Sequence, residues 1–127
     1  MRTPRDSFEP VRIAARSLGD VEATTKYDGS PVLKTGGCFL AGLATHPSAE
    51  AGTLVVRADL EQRDHLLEDA PQIYYLTEYY RPHPVVLARL ARLDRQSLRD
   101  LLAASWRLTL PKTSQRRRAT VLSGRLT

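Results

Sequence analysis

Apolar residues recur at helical spacing near both ends of this chain and fall into short alternating or continuous runs between them. Phe8, Val11, Ala15 and Leu18 would share one face of a helix over residues 7–18. Asp6 or Ser7 can cap its start, Pro10 is tolerated within the first turn, and Gly19 supplies a left-handed stop. A stretch of strand character follows. Tyr27-Asp28-Gly29-Ser30 is a turn signal, Pro31 to Lys34 a short strand, and Thr35-Gly36-Gly37 a tight hairpin connection. Cys38 to Leu43 alternates as the partner strand, with Cys38, Leu40 and Gly42 on one side and Phe39, Ala41 and Leu43 on the other. After a loop over residues 45–52, Thr53 to Arg57 is another strand. Asp59 caps a helix over residues 60–68 with apolar contacts at Leu60, Leu66 and Leu67, and Gln62 can reach back to the cap. A short strand and loop carry the tyrosines. Pro82 and Pro84 hold residues 81–84 extended, and Val85 to Leu90 is a strand. Asp94 caps the last helix, over 95–109, where Leu98, Leu101, Leu102, Ser105 and Trp106 form one stripe. Pro111 stops it.

This order contains no parallel β-α-β repeat. It predicts an α+β domain, a two-layer sandwich whose antiparallel sheet is covered by helices on one face. A chain of 127 residues is one domain. It divides into a body over 1–112 and a tail over 113–127 that reads as flexible from its Thr/Ser/Arg composition. No apolar run approaches the ~20 residues needed to span a membrane. Met1 to Asp6 leads into no apolar segment, so no secretory leader is expected. A single cysteine, Cys38, cannot form an internal disulfide, which fits a reducing cytoplasm; in a strand it reads as a small buried hydrophobe.

Charge changes the picture less than its total suggests. The net charge is +5, but residues 1–112 hold 15 Lys and Arg against 14 Asp and Glu. The positive field belongs mostly to the tail, through Arg116, Arg117, Arg118 and Arg125. Sixteen of the 19 basic residues are Arg, the side chain suited to bidentate phosphate contacts.

Several segments, in order, resemble the MmcQ/YjbR family of small bacterial proteins. They are Phe8 with Leu18-Gly19-Asp20-Val21, Gly29-Ser30-Pro31-Val32-Leu33-Lys34, Leu54-Val55-Val56-Arg57, Asp59-Leu60-Glu61, Tyr75-Leu76-Thr77, Tyr80-Arg81, Val86-Leu87-Ala88-Arg89-Leu90, Trp106-Arg107-Leu108 and Pro111-Lys112. The resemblance covers residues 8–112. It implies a CyaY-like sandwich and the family's usual label, a DNA-binding protein. The chain departs from the family pattern at Tyr79, where a His is expected, at Val85, where a Trp is common, and at Gly37-Cys38, where a basic residue usually follows the glycine.

Four of the five tyrosines lie in seven residues, Tyr74, Tyr75, Tyr79 and Tyr80, just before Arg81-Pro82-His83-Pro84. Tyr74 and Tyr75 read as structural. Tyr79, Tyr80, Arg81 and His83 are the candidate nucleic-acid contacts, because aromatic rings stack on bases and Pro-flanked loops are exposed. On that reading, replacing Tyr80 and Arg81 by Ala weakens binding and leaves the fold intact. Lys34, Arg89, Arg107 and Lys112 are the body's candidate phosphate contacts, and Arg116, Arg117 and Arg118 the tail's. His46, His65 and His83 lack metal-ligand spacing, and no phosphate loop or acid–base pair is recognisable, so no metal, cofactor or enzymatic activity is expected. The expected activity is weak, sequence-nonspecific DNA binding. The alternatives are a protein-interaction adaptor and the sequestration of a small aromatic ligand. A monomer is the default expectation.

Overall fold

The computed structural model describes residues 4–109. The expectations placed on Pro111, Lys112 and the tail, Arg116, Arg117 and Arg118 among them, lie outside the described residues. Helix α1 spans Pro4–Ala15, followed by strands β1 (Val21–Thr25), β2 (Pro31–Thr35), β3 (Cys38–Leu43) and β4 (Thr53–Arg57). Helix α2 (Leu60–Asp69), β5 (Tyr74–Tyr75), β6 (Val85–Arg89), a 3-10 turn (Leu90–Arg92) and α3 (Arg95–Thr109) complete the chain. The six strands form one antiparallel sheet in the order β1-β2-β3-β4-β6-β5. This is the α+β sandwich that the element order predicts. No helix among the described residues is long and apolar enough to cross a membrane.

Local chemistry accounts for most boundaries. Asp94 accepts the Ser97 N–H at 2.6 Å and starts α3, while Asp59 accepts the Gln62 N–H at 2.7 Å and starts α2. Gly36 and Gly37 both take positive φ, 58° and 80°, so the β2–β3 hairpin closes in two residues between Thr35 and Cys38. Asp28 accepts from the Ser30 N–H and hydroxyl, which closes the β1–β2 turn and holds its carboxyl below the usual range.

The main core lies between the sheet and the helices. Phe8 and Val11 of α1, Leu33, Leu40, Leu54 and Val86 of the sheet, and Leu101 and Leu102 of α3 meet there, all nearly inaccessible. A second cluster, Val55, Tyr80, Val85 and Leu87, covers the other side of β4 and β6 beneath the β3–β4 loop and the segment before β6. Burial on both faces explains why these two strands read as unbroken apolar runs, Leu54-Val55-Val56 and Val85-Val86-Leu87-Ala88.

Several expectations are corrected. Helix α1 begins at Pro4, where a missing N–H is harmless, so Pro10 lies inside the helix rather than in its first turn. The left-handed residue after α1 is Asp20, φ 59°, not Gly19. The Gly19 carbonyl instead accepts Trp106 Nε1–H at 2.8 Å, tying the end of α1 to the end of α3. Strict alternation fails in β3. Leu33 faces Ala41 but Lys34 faces Phe39, so Leu40 is the extra residue of a bulge and joins Ala41 and Leu43 in the helix-side core. The hydroxyl of buried Ser105 donates to the displaced Leu40 carbonyl at 3.2 Å, which gives a polar residue its place in the apolar stripe of α3. Leu60 is 63% exposed, and Arg63 is the residue of α2 that is buried. Cys38, at a hairpin end, is exposed rather than buried. Residues 81–84 are not extended but belong to a turned segment that starts at residue 77. Backbone bonds from the amides of Tyr80 and Arg81 to the Thr77 carbonyl, and from His83 to Tyr80, coil them into a turn.

Candidate functional site

The tyrosine segment is largely occupied from within. Tyr74 belongs to the main core, and burial pushes its phenol above the usual value. The Tyr75 hydroxyl shares a 2.6 Å hydrogen bond with Thr53 Oγ1 and accepts the Glu50 N–H at 2.8 Å. The Arg89 guanidinium lies 4.4 Å from the centroid of its ring. Tyr80 is only 9% exposed, and its hydroxyl accepts the His46 N–H. Its ring is a core element, so it is not free to stack on a base. Tyr79 is 51% exposed, but its ring lies parallel to that of His46 at 3.5 Å and meets Tyr80 edge-on. His83 is exposed with its ring tilted against Tyr79, and Arg81 is exposed and paired with Glu78 at 3.0 Å.

Arg63 makes this turn possible. Its guanidinium Nη1 donates to the carbonyls of Arg81, His83 and Val85 at 2.9–3.3 Å. Two of those carbonyls belong to the Pro-flanked run, whose prolines lack N–H groups and cannot organise it by backbone bonding alone. The Arg63 Nε is buried with no hydrogen-bond partner among the described residues.

The basic candidates divide in the same way. Arg89 is committed. It grips both Glu50 oxygens at 2.8–2.9 Å and donates to the Pro71 and Gln72 carbonyls. That bidentate bond, with the fields of Arg89 and Arg92, holds the Glu50 carboxyl below its usual range and raises Arg89. Lys34 is half-buried in β2 opposite Glu22 and Phe39, and Arg107 is exposed in the last turn of α3. Of these three, Arg89 packs on Tyr75, while no contact among the described residues joins Lys34 or Arg107 to the tyrosines.

The fold does gather a set that the motif reading passes over. An open groove of about 1360 Å³ lies between α1 and the corner where the 3-10 turn meets α3. Its floor is apolar, with Ala14, Leu90, Leu93 and Leu98, and Ile13 stands half-exposed on its wall. Arg89 lines it, and so do Arg16, Arg92, Arg95 and Arg99; the last four are the ones not tied to Glu50. None of these four side chains makes an ion pair or hydrogen bond with another described residue. The acids that line the groove include Glu50, held by Arg89, and Asp94, whose carboxyl the Ser97 N–H holds below its usual range. The signal for this site is weak but present: Arg92, Arg95 and Arg99 recur at helical spacing. Only the fold adds Arg16 from the other end of the body.

Four uncommitted guanidinium groups around an apolar floor can hold an extended anion with some hydrophobic surface. Among the described residues no three His, Cys, Asp or Glu side chains are grouped so as to hold a metal ion. Comparison with family models, curated proteins and solved structures finds no match for this chain.

Proposed function

We propose that this chain is a small, cytoplasmic, non-enzymatic binding module of the MmcQ/YjbR type that holds nucleic acid weakly and without sequence preference. The observation that carries this reading is the set of four arginines in one groove with no anionic partner among the described residues. Guanidinium groups left free of carboxylates contact phosphates without reading bases, which fits weak and nonspecific binding. The resemblance to the MmcQ/YjbR family supports the same reading. Tyr79, Arg81, His83 and Arg107 are exposed but line no part of the groove.

A salt titration of the full chain on labelled DNA tests this. Four groove contacts give a log–log slope of about −3.6, from about −0.9 per phosphate. Replacing Arg92 and Arg95 by Ala should reduce the steepness by about 1.8. No binding at low salt, or a slope that these replacements leave unchanged, overturns the reading. Binding that disappears in a variant ending at Lys112 would assign the activity to the tail.

The apolar floor and the half-exposed Ile13 favour one second reading, a protein-interaction module. So does the charge of the described part, where 13 Lys and Arg stand against 14 Asp and Glu. Retention of an acidic protein segment with no binding to DNA would establish that reading in place of the first.

A further inference from the structure

The acidic charge of this protein is as unevenly placed as the basic charge. Helix α2 and its cap hold Asp59, Glu61, Asp64, Glu68 and Asp69, all exposed. The helix's one Lys or Arg, Arg63, is buried, and its Nη1 donates to the carbonyls beyond the tyrosines. The outer face of α2 is therefore acidic, and no ion pair joins its carboxylates to a guanidinium or ammonium among the described residues. Leu60 lies on that face, 63% exposed, with Asp64 and Glu68 following at helical spacing.

The groove is the complement of this face. It offers arginines where α2 offers carboxylates, and a half-exposed Ile13 over an apolar floor where α2 offers Leu60. Leu60 and Ile13 are two of only four large hydrophobic residues exposed among the described residues. At about 1360 Å³ the groove exceeds the ~300–1,000 Å³ usual for small-molecule sites. A ten-residue helix, about 15 Å long, is an occupant of suitable size. No residue of α2 lines the groove of its own chain.

We propose that the groove takes helix α2 of a second copy of this chain. The two surfaces are different, so the contact is head-to-tail. Such a contact does not close on itself in a pair and builds open chains or rings. It goes beyond nucleic-acid binding and excludes it at the same arginines.

Sedimentation velocity of the full chain, without nucleic acid, tests the proposal. At about 0.01 M salt, where charges act over about 30 Å, the average mass should rise with concentration past roughly twice the monomer. At about 1 M salt, where that range falls to about 3 Å, the protein should return to monomer. Arg92→Glu with Arg95→Glu, and separately Asp64→Lys with Glu68→Lys, should each stay monomeric alone. Mixed, the two variants should associate, because each supplies the charge that the other has lost. A wild type that stays monomeric at low salt overturns the proposal. So does a groove variant that associates like wild type, since another basic surface would then be meeting α2. A mixture that stays monomeric, when the melting curve of each variant shows it folded, overturns it as well.

Discussion

The aromatic end of the molecule and the arginine groove are opposites in how their chemistry is used. Tyr75, Tyr80 and His46 stand out by their type, yet each hydroxyl or ring there already has an internal partner. Four groove arginines, Arg16, Arg92, Arg95 and Arg99, are unremarkable by type, yet unlike Arg89 beside them none is paired with a described side chain. Capacity to bind lies with groups whose interactions are unmet, because a group already hydrogen-bonded must break that bond before it can meet a ligand. Arg89 and Arg92 make the point within four residues. Both line the groove, but Arg89 is closed into a bidentate ion pair with Glu50, whereas Arg92 has no ion pair among the described residues.

If the contrast is sound, substitutions at the aromatic end should act on stability and substitutions in the groove on binding. Tyr80→Ala should cost about 3–5 kcal/mol in urea denaturation, since it empties a buried ring site. This reverses the expectation of an intact fold that the sequence suggests for Tyr80 and Arg81. Arg63→Ala should come next, at about 1–3 kcal/mol, because three carbonyls lose their shared donor. Faster proteolysis within residues 77–84 would mark the turn that it releases. Tyr75→Phe removes only the hydroxyl bonded to Thr53 and the Glu50 amide, and should cost about 1 kcal/mol. Arg92→Glu with Arg95→Glu should shift stability by no more than about 0.5 kcal/mol while abolishing DNA binding at low salt. Equal effects on stability in all four variants would erase the distinction.

Acid sharpens the contrast from another side. The carboxyls of Asp28, Glu50 and Asp94 are all held below their ordinary values, 3.8 for Asp and 4.5 for Glu. Each binds its proton less readily in the folded state than in the unfolded one, so each contributes stability above its ordinary pKa. That contribution is lost as pH falls through the lowered value. The melting temperature should therefore stay level on this account above about pH 5 and decline below the ordinary carboxyl range. Glu50 and Asp94 border the groove, so its walls should loosen before the tyrosine turn does; hydrogen exchange at low pH would separate the two.

What the sequence determined by itself is local. The caps at Asp59 and Asp94, the Gly36-Gly37 hairpin and the Asp28 turn act within three or four residues, through bonds that a side chain makes to its own neighbourhood. Helical stripes and strand runs are legible for the same reason, since period reports which face is dry. The tertiary structure decided everything that depends on a partner far along the chain. The Leu40 carbonyl at the bulge accepts from Ser105, Tyr80 is buried against Val55 and bonded to the His46 amide, and Arg63 finds its carbonyls beyond β5. The groove needs Arg16, just past the end of α1, beside Arg92, Arg95 and Arg99. Composition counts charges and rings, but whether each is spent or free is set by long-range packing, and that is where the candidate site of this protein resides.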